Sequence, residues 1–265
     1  MRSTPQQSLG RELEALIQAG ADRLRASRRT TALTGAGLSV ESGIPPFRRG
    51  AAGGAGLWER YDPIEYGTIE AFRRDPERVW MMLRDLSETL SRARPNPGHH
   101  ALARMEGFGL VGRIITQNVD GLHQEAGSAG VLELHGNWRT MTCVACCRQV
   151  RSEGISLERL PPRCDCGGAL KPDVILFGEI IPAQVIDAAF EEARCCDCLI
   201  VVGTSLDVDP AASIPQAAHD AGALIIEVNV EETPISSRIA DLCLRGPAGL
   251  ILPVLAERAG AKWAC

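Results

Sequence analysis

Four cysteines in the middle of the chain have the spacing of a metal site. Cys143 and Cys146 form a C-x-x-C pair, and seventeen residues separate it from the C-x-C pair of Cys164 and Cys166. Four thiolates at this separation can surround Zn²⁺ tetrahedrally, which leaves no open coordination position for a water. The spacing predicts a structural zinc in a zinc ribbon, with unligated thiols as the alternative. Because the second pair is one residue shorter than the common knuckle, Cys147 is a possible substitute ligand.

Small and polar residues follow three of the predicted strands. The β-prone run 29–34 leads into Gly35-Ala36-Gly37-Leu38-Ser39, the apolar run Cys198–Val202 leads into Gly203-Thr204-Ser205, and Asn229 ends a third run. Glycine lets a phosphate approach the backbone, and the carboxyl ends of parallel strands meet at one edge of a sheet. Together the three turns predict a nucleotide site, although each alone is also compatible with an ordinary tight turn.

A polar segment and one histidine supply candidates for the chemistry. Thr116-Gln117-Asn118-Val119-Asp120-Gly121 follows the predicted strand 112–116, so its amides and carboxylate can fix a carboxamide and a ribose. An Asx-rich turn is the alternative. His135, next to Gly136, can act as a general base near neutral pH. A hydrogen-bonded structural histidine is the alternative here.

These residues need a parallel α/β sheet to bring them together. The predicted strands are 29–34, 112–116, Cys198–Val202, 224–228 and 241–244. Helical stretches separate them, such as 182–194 and 215–221, and the first segment has leucines at helical spacing. Strands alternating with helices predict a doubly wound sheet. Two stretches interrupt the alternation: the Gly/Ala-rich 50–56 with the helical 58–90 behind it, and the cysteine-rich 142–168.

Composition excludes several classes of protein. The chain has 265 residues, 45% of them apolar, and 28 basic against 33 acidic residues for a net charge of -5. This balance argues against disorder and against bulk electrostatic binding of nucleic acid. The longest apolar runs fall far short of the roughly 20 residues of a membrane span, and 1–10 lacks the apolar core of a secretion signal. Ten clustered cysteines favour metal over disulfides, so we expect a cytoplasmic protein.

Read together, the motifs resemble the sirtuin family. The matching segments are Gly35 to Pro45, Phe47-Arg48, Thr116 to His123, Leu134-His135-Gly136, the cysteine pairs, Lys171 to Glu179, Gly203 to Leu206, and Val228-Asn229. Their order and spacing match from about residue 29 to residue 255. The resemblance implies a Rossmann-like NAD-binding domain (1–46, 91–138 and 172–265), a cofactor loop with a helical insert (47–90) and a zinc-ribbon module (139–171).

The resemblance also implies roles for individual residues. The implied NAD-binding residues are Gly35, Ala36, Gly37, Ser39, Glu41, Ile44, Pro45, Phe47, Arg48, Trp58, Gln117, Asn118, Val119, Asp120, His135, Gly203, Thr204, Ser205, Asn229, Val230, Glu231 and Ala248. The implied acyl-lysine residues are Val174, Ile175, Phe177, Gly178 and Glu179, and the implied catalytic residues are His135, Asn118 and Asp120. Phe47 and Arg48 would belong to a loop that covers the cofactor, with 50–56 as its hinge.

The implied activity is NAD-dependent removal of acyl groups from protein lysines. The products would be nicotinamide, O-acyl-ADP-ribose and free lysine, with His135 taking a proton from a ribose hydroxyl. Acyl-lysine proteins would be the partners. The rivals are mono-ADP-ribosyl transfer at the same NAD site, a silent NAD-sensing scaffold, and a Rossmann dehydrogenase with an incidental zinc.

Some positions depart from the sirtuin pattern. Pro46 stands where the family commonly has an acidic residue, Arg49 replaces a glycine, and Asp207 and Asp209 replace uncharged or aromatic residues. Relatives that remove succinyl or malonyl groups use a Tyr-x-x-Arg pair, and we align Leu83 and Leu86 with that pair. Without its tyrosine and arginine, a carboxylate-bearing acyl group loses its cationic clamp. We therefore expect uncharged acyl groups, acetyl first, with longer chains left open.

Overall fold

The computed structural model describes residues 10–45 and 60–261 of the chain. In chain order the strands are β1 (Thr30–Thr34), β2 (Arg113–Thr116), β3 (Val131–Glu133), β4 (Gly136–Cys143), β5 (Gln149–Arg151), β6 (Leu170–Val174), β7 (Cys198–Val202), β8 (Leu224–Asn229) and β9 (Leu242–Arg245). The helices are α1 (Arg11–Ala26), α2 (Ala36–Ser39), α3 (Pro63–Tyr66), α4 (Ile69–Arg74), α5 (Pro76–Arg92), α6 (Pro97–Gly107), α7 (Leu122–Glu125), α8 (Ala183–Cys195), α9 (Ile214–Asp220) and α10 (Ala248–Arg258). Within the described ranges, no helix is long and apolar enough to cross a membrane.

The central sheet has six parallel strands in the order β3-β2-β1-β7-β8-β9. The five strands predicted from apolar runs are all present, and their bounds differ by at most one residue from the prediction. The predictions work here because β1 and β7 are buried along their whole length, so nearly every side chain in them is apolar or β-branched. β3 has only three residues and carries too little pattern to be recognised alone.

Helices cover both faces of this sheet, which confirms the doubly wound α/β fold. Consecutive residues of β1 point to opposite sides: Ala32 packs in the cluster formed with α1, α6 and α10, whereas Leu33 packs against α8 and α9. Ile200 and Val201 of β7 divide in the same way. Burying Leu33, Ile200 and Val201 contributes about 1.5–3 kcal/mol each to folding.

The chain reverses its direction across the sheet between β1 and β7. From β1 the strands proceed outward through β2 to β3, and from β7 they proceed the other way through β8 to β9. The segments that leave β1 and β7 therefore run in opposite directions, which leaves a crevice at the carboxyl ends of these two strands. In open α/β sheets ligands bind at such a switch point.

A second, three-stranded antiparallel sheet has the order β5-β4-β6. It extends from Gly136 to Val174, three residues beyond each end of the predicted module 139–171. The helical segment α3–α5 packs on this sheet: Trp80 is buried there and its Nε1 donates to the carbonyl of Leu170 at 2.9 Å. The predicted division of the chain into a large domain, an insert and a zinc module stays a prediction.

Candidate active site

A cavity of about 720 Å³ lies along the carboxyl edge of the large sheet. Its walls come from the turns after β1, β2, β3, β7, β8 and β9, together with α5 and the segment after β6. We call it the sheet-edge cavity. Its volume falls within the range of about 300–1,000 Å³ that is typical of sites for small molecules and cofactors.

Most of the residues expected to bind ligands line this cavity. From the expected cofactor set these are Ala36, Gly37, Glu41, Gln117, Asn118, Val119, His135, Gly203, Thr204, Ser205, Asn229, Val230, Glu231 and Ala248. All five expected acyl-lysine residues, Val174, Ile175, Phe177, Gly178 and Glu179, line it as well.

Several expected cofactor residues do not line the cavity. Those among the described residues are Gly35, Ser39, Ile44, Pro45 and Asp120. Ser39 and Asp120 instead support lining residues from behind. Phe47, Arg48 and Trp58 lie outside the described residues, as do Pro46, Arg49 and the Gly/Ala-rich 50–56.

Glycines allow the turns after β1 and β7 to meet backbone to backbone. The Gly37 N–H donates to the carbonyl of Gly203 at 2.7 Å. A Cβ on Gly37 would lie 2.7 Å from that oxygen, and a Cβ on Gly203 would lie 2.4 Å from the nitrogen of Leu38. No side chain fits in this gap, so backbone alone forms this wall. Such a wall lets a phosphate approach closely, as a dinucleotide requires.

Asn118 is held in a buried network with Ser39 and Asp120. Its Nδ2 donates to the carbonyl of Gly35 and to Ser39 Oγ, each at 3.0 Å. Ser39 in turn donates to Asp120 Oδ2 at 2.7 Å, and the Leu122 N–H donates to Asp120 Oδ1 at 2.9 Å. Burial raises the pKa of Asp120, although both hydrogen bonds oppose the shift. The network fixes the plane of the Asn118 amide at the cavity wall.

His135 is the histidine that lines the cavity among the described residues. Its Nδ1 lies 3.0 Å from the carbonyl oxygen of Gln117. A carbonyl only accepts, so Nδ1 carries the proton and the neutral ring keeps its lone pair on Nε2. Burial lowers the pKa of His135 below its ordinary 6.5, and the bond to Gln117 opposes this shift only in part. The ring is therefore neutral at pH 7 and can accept a proton at Nε2.

The segment after β6 ties the small sheet, the helical segment and His135 together. The Ile175 N–H donates to the His135 carbonyl at 2.9 Å, and Phe177 exchanges backbone hydrogen bonds with Gly67 and Ile69. Gly178 has a φ of +76°, a conformation that favours glycine. Phe177 stays 44% exposed, so this segment presents an apolar side chain at the mouth of the cavity.

Lys171 and Glu179 hold the two ends of this segment in place. Lys171 Nζ donates to the carbonyls of Pro172 and Val174 and to Glu179 Oε2, at 2.8 to 3.0 Å. Glu179 Oε2 also accepts from the Leu176 N–H at 3.0 Å. All three ammonium protons are thus used inside the protein.

The lining of the cavity includes an apolar wall and several carboxylates. Met82, Leu83 and Leu86 of α5 form the apolar wall. The resemblance had already aligned Leu83 and Leu86 with the acyl-selecting pair of some relatives, whereas no sequence signal marked Met82. The carboxylates that line the cavity are Glu41, Glu179, Asp209, Glu231 and Glu232. Among the described lining residues there is no lysine or arginine.

A buried polar chain behind Asn118 also went unrecognised in the sequence. His123 Nε2 donates to Thr34 Oγ1, which donates to Thr116 Oγ1, each at 2.9 Å. Thr116 Oγ1 accepts from the Asn118 N–H at 3.1 Å. Burial lowers the pKa of His123 to about 4, so the ring remains neutral. No local pattern marks His123, because its partners are far away in sequence.

The four expected zinc ligands form one cluster. One sulfur from each of Cys143, Cys146, Cys164 and Cys166 lies within 4.8 Å of the others. Cys143 Sγ is 3.5 Å from Cys166 Sγ, and Cys146 Sγ is 3.8 Å from Cys164 Sγ. A tetrahedron with Zn–S bonds of 2.3 Å has sulfur–sulfur edges of about 3.8 Å. The cluster therefore fits Zn²⁺, and Cys147 is not a member of it.

Fold and site together define a class of protein. It is an α/β protein with a nucleotide-type cavity at the switch point of its sheet and a four-cysteine module beside that cavity. The Sir2 family model matches residues 35–210, and the chain belongs to the Sir2 family.

Similar proteins support this assignment over nearly the whole chain. The NAD-dependent protein deacylase 2 of Pyrobaculum aerophilum is 51% identical over 239 residues, which cover 89% of this chain and 93% of that protein. The NAD-dependent protein deacylase of Pyrococcus furiosus is 45% identical, covering 88% and 94%. A solved Sir2 homologue–NAD complex has a TM-score of 0.82 at 40% identity, covering 98% and 96%. Sir2Af2 bound to a myristoylated histone peptide has a TM-score of 0.76 at 36% identity, covering 93% and 97%.

Proposed function

We propose that this protein is an NAD-dependent protein lysine deacylase that forms nicotinamide, O-acyl-ADP-ribose and free lysine. One observation carries the proposal. A neutral histidine, His135, lines the same cavity as the Gly37–Gly203 backbone wall and the segment from Val174 to Glu179. The same cavity therefore contains a general base, a backbone wall suited to a nucleotide and a segment that a peptide could contact. The names of the relatives from Pyrobaculum aerophilum and Pyrococcus furiosus agree with it.

The residues along the sheet edge fit NAD. Gly37, Gly203, Thr204 and Ser205 would hold the diphosphate, and Gln117 and Asn118 would hold the nicotinamide and its ribose. Asp120 would support Asn118 from behind, through Ser39. When bound, NAD supplies a cationic nicotinamide as leaving group and a ribose hydroxyl for acyl transfer. Asn229 lies further along the same edge, and its Nδ2 donates to the Thr204 carbonyl at 2.9 Å, which orders that wall.

His135 acts as the general base of this reaction. Its Nδ1–H is engaged by Gln117, so the ring is oriented and only Nε2 is available to take a proton from a ribose hydroxyl. The side-chain amide of Asn118, whose orientation is fixed, contacts the ligand. Asp120 holds Ser39, and Ser39 holds Asn118. His135 therefore moves the proton, Asn118 holds the ligand, and Asp120 keeps Asn118 in position.

The segment from Val174 to Glu179 binds the acyl-lysine peptide. Phe177 at the cavity mouth covers the aliphatic part of the lysine, and Gly178 leaves room for the peptide backbone. The zinc site acts at a distance. Cys143 ends β4 and pairs with Leu170 at the start of β6, so a closed metal site stabilises the strand that leads into this segment.

The cavity favours uncharged acyl groups. A succinyl or malonyl carboxylate needs a cationic partner, and the described walls carry five carboxylates without a lysine or arginine. Acetyl-lysine is therefore the preferred substrate. Chains longer than acetyl are a second candidate, because Met82, Leu83 and Leu86 extend the apolar wall. The myristoylated peptide in the Sir2Af2 structure agrees with that candidate.

A set of lysine peptides tests the function and the acyl class together. The peptides are unmodified, acetylated, succinylated and acylated with a longer saturated chain, each incubated with NAD, and products are read by mass. We expect O-acyl-ADP-ribose from the acetyl and longer-chain peptides and little from the succinyl peptide. Nicotinamide release that is independent of an acyl peptide would favour mono-ADP-ribosyl transfer instead.

The variant Leu86→Phe sharpens the test of chain length. Its larger ring takes up space beside the apolar wall, so turnover of the longer-chain peptide should fall relative to acetyl by about tenfold. Met81→Phe is the matched control, because Met81 lies on the same helix, is 45% exposed and does not line the cavity. If the ratio of longer-chain to acetyl turnover is the same in both variants, the long acyl chain does not bind beside Leu86.

The pH profile should report the base. Protonated His135 cannot accept a proton, and burial lowers its pKa below 6.5. Turnover at low substrate should therefore be level around neutral pH and fall about tenfold per pH unit once the pH drops below that pKa. The measurement is kcat/KM from pH 4.5 to 8 with the acetyl peptide. An acid limb whose midpoint lies above 6.5 contradicts the assignment.

The cytoplasmic location stays a prediction from the sequence. The expectation that the protein does not bind nucleic acid directly also stays a prediction.

A further inference from the structure

Glu227 is a fully buried carboxylate on the strand next to one edge of the large sheet. It lies on β8 and has no exposed surface. A buried charge is retained only where hydrogen bonds or an opposite charge replace its hydration. Thr233 Oγ1 donates to Oε1 at 2.5 Å, and Ser236 Oγ and Arg245 Nη2 donate to Oε2 at 2.6 and 2.8 Å. Although burial acts to raise the pKa of Glu227, these donors hold it below its usual value.

The donors tie this carboxylate to the loop that follows β8. Arg245 Nη1 also donates to the carbonyl of Glu231 at 3.0 Å, and Ser236 Oγ accepts from the Thr233 N–H at 2.8 Å and from Arg245 Nη2 at 2.7 Å. Both the backbone at Glu231 and the side chain at Thr233 are therefore held by groups that converge on Glu227.

This loop forms one wall of the sheet-edge cavity. Its four residues, Val230, Glu231, Glu232 and Thr233, all line the cavity. Val230 is 62% exposed, so little apolar packing holds this stretch. Hydrogen bonds to a rigid strand are then what sets its position.

The wall lies at the opposite end of the sheet from the base. β8 and β9 are at one edge of the strand order, and β3, which leads to His135, is at the other. Under the proposed function, the leaving group lies near His135, so the other nucleotide half of NAD extends toward the loop after β8. A change in this wall should alter NAD binding and leave proton transfer at His135 nearly untouched.

We propose that Glu227 is a positioning residue that fixes the loop from Val230 to Thr233 as the wall for the distal nucleotide half of NAD. It touches no reacting atom and acts through Thr233, Ser236 and Arg245. The inference rests on the proposed function and adds a determinant of NAD affinity to it.

Two variants of Thr233 separate the hydroxyl from the shape of the side chain. Thr233→Val keeps the shape and deletes the bond to Glu227, whereas Thr233→Ser keeps the hydroxyl. We expect Thr233→Val to raise the KM for NAD about tenfold with kcat at saturating NAD within about twofold of wild type. Thr233→Ser should restore most of the affinity, and the KM for the acetyl peptide should not move. Glu227→Gln should behave like Thr233→Val where it folds.

Thr140→Val is the matched control. Thr140 Oγ1 donates to Asp173 Oδ2 at 2.5 Å, the same kind of bond at the same length, but Thr140 does not line the cavity. This variant should keep the wild-type KM for NAD. Calorimetric titration with ADP-ribose gives the affinity independently of turnover.

The outcomes are distinguishable. If wild type neither binds ADP-ribose nor releases nicotinamide, the proposed function fails. Suppose that wild type is active. The role of Glu227 as a positioning residue is then overturned if Thr233→Val keeps the wild-type KM for NAD. It is also overturned if Thr233→Val and Thr140→Val change kcat and the KM for NAD by the same factors. A lower Tm with unchanged KM would also overturn it, since it would show a purely structural role.

Discussion

The variant His135→Ala is expected to lose at least about 100-fold in acyl-lysine-dependent turnover. Removing the imidazole removes the Nε2 lone pair that takes the ribose proton. The fold should persist, because the ring is only partly buried and its hydrogen bond to Gln117 is worth about 1 kcal/mol. The measurement is the rate of O-acyl-ADP-ribose formation at saturating NAD and acetyl peptide, with circular dichroism and zinc content to verify folding.

His100→Ala is the control for this experiment. His100 is exposed on α6 and does not line the sheet-edge cavity, so the same deletion there should leave the rate within about twofold of wild type. A His135→Ala protein that is folded and turns over at more than about a tenth of the wild-type rate would remove His135 from the role of base. The binding of ADP-ribose should survive in His135→Ala, since the Gly37–Gly203 wall is unchanged.

The variant Cys143→Ser is expected to have the largest effect on stability. Cys143 is fully buried at the end of β4, and its sulfur lies in the four-sulfur cluster. Structural zinc contributes about 10–16 kcal/mol to the folding of zinc-finger peptides at pH 7. Losing one thiolate should therefore release the metal, lower the yield of folded protein and lower the Tm. The measurements are zinc per chain by elemental analysis and thermal unfolding.

Cys147→Ser provides the comparison within the same turn. Cys147 is exposed and its sulfur is not part of the cluster, so this variant should keep one zinc per chain and the wild-type Tm. Loss of zinc in Cys147→Ser, with retention in Cys166→Ser, would make Cys147 the fourth ligand. A strong chelator should reproduce the effect of Cys143→Ser on the wild-type protein.

Local patterns were sufficient for much of the fold and for part of the site. Cys198–Val202 could be recognised as a strand because every residue in it is buried, and Cys143 and Cys146 could be recognised as a pair because metal ligands close together in sequence have restricted spacing. Gly37 could be placed in a turn because a glycine at the end of a strand permits a close backbone approach. Each of these features depends on a few consecutive residues.

Other features depend on contacts between distant segments, and patterns could not reveal them. Met82 joins the cavity wall because α5 packs against the small sheet, where Trp80 of the same helix is buried and donates to the carbonyl of Leu170. In the sequence, Glu227 is a charged residue within an apolar strand. Only the structure shows that Thr233 and Arg245 donate hydrogen bonds to its carboxylate. His123 ends a segment that the resemblance matched, but nothing local marked its role, since its partner Thr34 lies on β1, 89 residues away.

From its residues alone, the chain specifies a parallel α/β sheet, a four-thiolate metal site and an edge lined with small and polar turns. Periodicity, ligand spacing and backbone conformation act over short stretches, so they can be read without coordinates. Which turns face one another, which nitrogen of His135 is available and how Glu227 is compensated depend on long-range packing and burial. They are decided only when separate segments fold against one another, because desolvation and hydrogen bonding depend on the groups that surround a residue in the folded protein.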